Sequence, residues 1–149
     1  MIDGVIVKPL TSIIDERGKV MHMLRADSYL FTKFGEIYFS VVNPGIVKAW
    51  KRHFKMTQLF AVPFGKIRLV LYDNRKNSKS CGKLEVIEIG EDNYCLAKIP
   101  PLVWYGFKGI SQMPALVANC TDLSYDPKEV ERLEPSDKFI PYDWDTENV

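Results

Sequence analysis

Residues 58–73 read QLFAVPFGKIRLVLYD, and their reading decides the fold. Residues 58–62 and 67–73 are runs of β-branched, aromatic and other apolar side chains, with Pro63, Phe64, Gly65 and Lys66 between them. Apolar runs this short, bounded by proline and glycine, are the mark of strands rather than helices. Gly65 supplies a turn conformation that other residues resist, so the stretch is predicted to be a β-hairpin.

The same pattern repeats on both sides. VIVKPL (5–10), KVMHML (19–24), EIYFSVV (36–42), KLEVIEI (83–89), YCLAKIP (94–100) and PALVANCTD (114–122) read as further strands. Between them fall the turn signals DERG (15–18), NPG (43–45), NRKNSKSCGK (74–83) and GEDN (90–93). In IPPLVWYGF (99–107), two prolines end one strand and force an extended corner before an aromatic strand. Short helices are predicted at ADSYLFTKF (26–34) and at DPKEVERL (126–133), where Asp126 is placed to cap and Pro127 to start the first turn. The tail from residue 134 is irregular, but Phe139, Ile140, Tyr142 and Trp144 are too apolar to remain in water, so it is expected to pack back on the sheets or on a partner. Many short antiparallel strands with tight turns predict an all-β barrel or sandwich, one domain over 1–149.

Composition limits the function classes. The net charge of +1 gives no global field for nucleic acid or a membrane surface, so an anion site must be a local cluster. No apolar run is long enough for a membrane helix, and no basic-then-apolar leader is present. Cys81, Cys95 and Cys120 are odd in number and form no CxxC pair, which fits a reducing cytoplasm better than a disulfide framework. The local cluster is VKAWKRHFKMTQ (47–58), with Lys48, Lys51, Arg52, Lys55 and His53. Alternation places some of these inside the barrel; the competing reading is a solvated, charged edge strand. His53 and His22 are 31 positions apart and cannot together build a metal centre, so no metal or other cofactor is expected.

Four stretches together resemble the dTDP-4-dehydrorhamnose 3,5-epimerase family, the sugar-nucleotide epimerase branch of the cupins, in its shorter members. They are DERG (15–18), RHF (52–54) ahead of the 58–73 stretch, IPPLVWYGF (99–107) and NCTDLSYDP (119–127). The resemblance implies a cupin-type antiparallel jelly-roll and a nucleotide-sugar substrate. It also implies metal-independent epimerisation of a 4-keto-6-deoxyhexose, at C3 or at C3 and C5. His53 matches the family's base, whose chemistry suits proton transfer near neutrality. Gln58 stands where the family has a lysine near the keto oxygen, and Ala118 falls about where it has an acidic tyrosine. The aspartate that orients the base belongs to a segment beyond Asp143-Trp144, where this chain stops soon after.

Tyr125 and Tyr105 are therefore the candidate acids. Lys51, Arg52 and Gln58 are candidate donors to the keto oxygen or the phosphates. Arg17 is a candidate for the diphosphate, because a guanidinium binds phosphate oxygens through paired hydrogen bonds. Tyr38, Trp50 and Phe60 are aromatic candidates for walling a sugar or base. In related epimerases the DERG segment crosses to a neighbouring subunit, so a homodimer sharing its sites is expected, with the N-terminal strand in the interface. A sugar-nucleotide 3,4-ketoisomerase and a non-catalytic sugar-nucleotide-binding cupin are the alternative readings.

Overall fold

The computed structural model describes residues 1–145. Its strands begin with β1 (Ile6–Pro9), β2 (Ser12–Asp15), β3 (Gly18–Met21), β4 (Glu36–Val42), β5 (Val47–His53) and β6 (Gln58–Phe64). They continue with β7 (Lys66–Asp73), β8 (Leu84–Gly90), β9 (Cys95–Ile99), β10 (Val103–Gly109), β11 (Ala115–Thr121) and β12 (Val130–Arg132). Two antiparallel five-stranded sheets are ordered β1-β9-β6-β11-β4 and β12-β5-β10-β7-β8, and β2 pairs with β3 as a separate hairpin. From β4 to β11 the chain changes sheet at every connection except β7 to β8. That path is the expected jelly-roll barrel. Among the described residues, no helix is long and apolar enough to cross a membrane.

The stretch 58–73 is not the hairpin its sequence suggests. β6 pairs with β9 and β11, and β7 with β8 and β10. Residues 63–66 therefore form a corner from one sheet to the other. Gly65 has φ +76°, and a Cβ there would lie 2.6 Å from Ala115 Cα. Glycine is required both for the left-handed backbone and for the close approach. The proline pair after β9 makes a second corner of this kind, and there the Leu102 amide donates to the His53 carbonyl at 2.7 Å.

Between the sheets lies a core that includes Phe60, Val62, Ile67, Leu69, Leu71, Tyr105 and Phe107. Parts of the outer faces are covered as well. Leu30, with Met23 and Leu24, packs on Leu59, Ala61 and Leu96 of the first sheet. Ile140, Tyr142 and Trp144 pack on Trp50, Val70 and Trp104 of the second. Cover on both sides explains why β6 and β10 read as unbroken apolar runs instead of alternating. It also shows that the apolar tail folds back on its own barrel as expected, although Phe139 stays half-exposed.

The helical expectations are met only in part. Residues 26–34 hold turns and no helix, because Leu30 is fixed against the sheet by a segment that lies across it. Asp126 does cap a turn, accepting from the Lys128 amide at 3.0 Å, but only Pro127–Glu129 is helical, and as a 3-10 turn. Residues 130–132 instead become β12 and close the open edge of β5.

Candidate active site

The site is built from β5. Strict alternation along KAWKRH would put Lys48 and Lys51 on opposite faces. The ladder to β10 pairs Tyr105 with Lys51 but Phe107 with Lys48, so one extra β5 residue is accommodated at Ala49-Trp50. Gly106 lies opposite this bulge, where a Cβ would sit 2.5 Å from Ala49 Cβ. The bulge brings Lys48, Lys51 and His53 to the mouth of the barrel and turns Trp50 and Arg52 outward.

His53 is buried, and its Nδ1 is hydrogen-bonded to the Glu129 carboxylate. The other Glu129 oxygen accepts from the amides of Lys55 (2.8 Å) and Met56 (3.0 Å). Burial pushes the Glu129 carboxyl up, but the bonds from His53 and these amides outweigh it and hold the group below its ordinary value. A carboxylate on Nδ1 fixes that nitrogen as the donor and leaves Nε2 as the basic one. The carboxylate expected to be missing beside His53 has a counterpart in Glu129, which comes from the turn before β12.

β12 places Arg132 beside Lys51 in register. Among the described residues neither forms an ion pair. Burial, followed by the charges of Arg132 and Lys48, pushes the Lys51 ammonium below its usual value. Lys51 is half-buried and Arg132 exposed, so the mouth carries a local excess of positive charge, which favours an anion there. Lys48 donates to Ser40 Oγ (3.0 Å) and to the Val41 carbonyl (2.8 Å), joining the two walls of the mouth.

The facing wall carries amides and a phenol. Gln58 is 1 % exposed, and its Oε1 accepts from Tyr105 Oη and Asn119 Nδ2, each at 3.0 Å. Asn119 Nδ2 also donates to Tyr38 Oη at 2.9 Å. Burial raises the pKa of both phenols, most strongly that of Tyr105. The main cavity, about 620 Å³, is lined by Tyr38, Lys48, Lys51, Tyr105, Asn119 and Arg132, and runs out to Leu133 and Asp137. A lobe of about 300 Å³ reaches Tyr38, Lys51, His53, Tyr125 and Arg132. The main cavity is of the size that small-molecule ligands occupy.

The residues singled out from sequence are not all brought together. His53, Lys51, Gln58 and Tyr105 converge, and the rings of His53 and Tyr105 stack with centroids 6.4 Å apart. Tyr125 stands at the rim, more than half exposed. Arg52 lies on the other face of β5, ion-paired with Glu131 and over the Trp104 ring. Arg17 is exposed on the β2–β3 turn and bound to Asp15 at 2.7 Å. Glu129 and Arg132 were not singled out. DPKE reads as a capped turn, and only the pairing of β12 with β5 brings Glu129 to a histidine 76 positions away. Among the described residues, no group of three or more His, Cys, Asp or Glu is placed to hold a metal ion.

Comparison with known proteins gives concordant matches. The family model described as dTDP-4-dehydrorhamnose 3,5-epimerase matches residues 1–149. The chain is 37 % identical over 149 residues to the spore coat polysaccharide biosynthesis protein SpsL of Bacillus subtilis, covering 99 % of each. It is 37 % identical over 144 residues to the probable low-salt glycan biosynthesis epimerase Agl13 of Haloferax volcanii, covering 95 % of this chain and 89 % of that one. The crystal structure of a dTDP sugar isomerase from Desulfovibrio desulfuricans G20 superposes with a TM-score of 0.94 at 53 % identity, covering 96 % of this chain and 92 % of that one.

Proposed function

The chain belongs to the dTDP-4-dehydrorhamnose 3,5-epimerase family, and from that premise we propose that it epimerises a nucleotide-linked 4-keto-6-deoxyhexose at a carbon next to the ketone. The observation that carries this reading is the buried His53–Glu129 pair opening onto a mouth lined by the cations Lys51 and Arg132, neither of them ion-paired among the described residues. A hydrogen beside a ketone is acidic because the enolate spreads the charge onto oxygen. His53 Nε2 takes that proton, and Glu129 stabilises the resulting imidazolium. Lys51, on the same strand face two residues away, is the donor for the enolate oxygen, in the role the family gives to a lysine at the Gln58 position. Arg132 and Lys48 extend the positive wall toward the larger cavity, where the diphosphate fits.

The test is product analysis by NMR with TDP- and CDP-linked 4-keto-6-deoxyglucose. An inverted centre at C3, C5 or both supports the reading. A 3-keto product would identify a 3,4-ketoisomerase instead, and tight binding without turnover a non-catalytic sugar-nucleotide-binding protein.

The working unit is proposed to be a homodimer. β1 pairs with β9 of its own chain on one side and, as the terminal strand of its sheet, leaves its other edge open to a second copy. Uncovered apolar side chains also lie on the β2–β3 hairpin, with Ile13, Ile14 and Val20, and on the outward face of edge strand β4, with Ile37, Phe39 and Val41. A second copy covering these patches removes an exposed edge and gives Arg17 a neighbouring mouth to reach. Sedimentation as a dimer at micromolar concentration supports this, as does activity regained on mixing inactive Arg17→Ala and His53→Ala chains; a monomer contradicts it. The three free cysteines, Cys81 exposed among them, support a cytoplasmic setting.

A further inference from the structure

Inversion at carbon needs a proton delivered to the face opposite the one from which it was taken. His53 and Lys51 stand on β5, in the second sheet, while Tyr38 stands on β4, in the first. All three line the same lobe. We infer that Tyr38 is the acid that completes the epimerisation, held for that task by Asn119 and Gln58. This assignment rests on the epimerase reading above.

Position carries it: Tyr38 lines the lobe from the sheet opposite His53 and Lys51. Asn119 Nδ2 donates to Tyr38 Oη, so the phenol acts as acceptor in that bond. Among the described residues its own hydrogen has no acceptor, and it faces the lobe. Tyr105 is the reverse case. It is bonded to Gln58 Oε1, and the residue, 4 % exposed, lines the main cavity but not the lobe that holds His53. Tyr125 reaches the lobe but is 54 % exposed, and its backbone amide, not its hydroxyl, is what the fold anchors, to Glu36 at 2.9 Å.

The step balances within these groups. His53 removes the hydrogen from the carbon beside the ketone, and the C–H electron pair becomes the enolate double bond, with the charge on oxygen beside Lys51. On return, the oxygen pair re-forms the carbonyl and the double-bond pair takes the proton from Tyr38 on the other face. The O–H pair stays on the phenolate oxygen, where the Asn119 N–H holds it. Solvent at the mouth then reprotonates Tyr38 and accepts the proton from His53. Burial keeps the phenol protonated at neutral pH, as an acid must be before it acts.

The experiment compares epimer formation with solvent deuterium exchange at the same carbon. Tyr38→Phe deletes one oxygen and leaves the Asn119–Gln58 bond in place, so folding is retained. The expected result is exchange within about tenfold of wild type, because His53 still removes and returns hydrogen on its own face, with product formation down about a hundredfold or more. Tyr105→Phe and Tyr125→Phe should change exchange and product together, leaving their ratio unaltered. A Tyr38→Phe enzyme with the wild-type ratio of product to exchange overturns the assignment, as does a ratio that collapses in Tyr125→Phe or Tyr105→Phe instead. A wild-type protein showing neither exchange nor product would overturn the epimerase reading itself.

Discussion

Replacing Glu129 by glutamine keeps the size of the side chain and removes one acceptor. Glu129 uses one oxygen for His53 Nδ1 and the other for the Lys55 and Met56 amides. Glutamine has a single oxygen, and two backbone N–H groups must be met by it, since unpaired buried amides are costly. Its NH2 then faces His53 Nδ1, which must turn acceptor. The imidazole proton moves to Nε2, the nitrogen that should receive the substrate proton. A base held in the wrong tautomer costs about 10³–10⁴-fold in kcat. The loss of the charge-assisted bonds costs about 1–2 kcal/mol of stability, well within the reserve of a domain this size. Deuterium exchange into a nucleotide-linked 4-keto-6-deoxyhexose, read by NMR beside a thermal melt, separates the two effects. Exchange within about threefold of wild type in folded Glu129→Gln would refute the orienting role.

Lys51→Met should lower exchange by about 10²–10³-fold while raising stability by about 1 kcal/mol, because a half-buried ammonium pressed by Arg132 and Lys48 is removed; calorimetry would show the melting point rising about 2–4 °C. Gly65→Ala should destabilise the barrel by about 2–4 kcal/mol, through positive φ and the clash with Ala115, measured by urea unfolding. Asp73 is fully buried; despite that burial, Arg75, Ser78 and Ser80 hold its carboxyl below the ordinary range. The unfolded chain therefore binds more protons at this group, and the stability it contributes is complete above about pH 4 and lost as pH falls below that. Asp73→Asn should cost about 2–3 kcal/mol at neutral pH and flatten the acid limb of the stability profile. Exhaustive chelation should leave turnover unchanged, which an assay before and after dialysis against chelator checks.

Much of the barrel was legible because strand grammar is local. The runs at 58–62 and 67–73, the Pro-Pro corner and the 74–83 loop all fall where expected. What failed was the assignment of partners. A strand buried on both faces shows no alternation, so nothing in QLFAVPFGKIRLVLYD separates a hairpin from a corner between sheets. The site was half legible. His53 and Lys51 lie two apart on one strand, and both could be read from the cluster itself. Lys48 reaches the mouth only through a bulge that depends on Gly106, a residue on another strand. Glu129 was hidden because its local context, Asp126 capping a turn, already accounts for an acidic residue there. Its contact with His53 exists only once β12 has paired with β5.

The central claim is that His53, oriented by Glu129, removes the hydrogen beside a ketone on a nucleotide-linked sugar. Its most direct test is incubation of wild type and His53→Ala with the 4-keto-6-deoxyhexose nucleotide in deuterated water, reading deuterium at C3 and C5. The wild type should place deuterium at the carbon it inverts, and folded His53→Ala should do so about a hundredfold to ten-thousandfold more slowly. Deuterium entering at the wild-type rate without the imidazole, or no deuterium entering with it, would contradict the account.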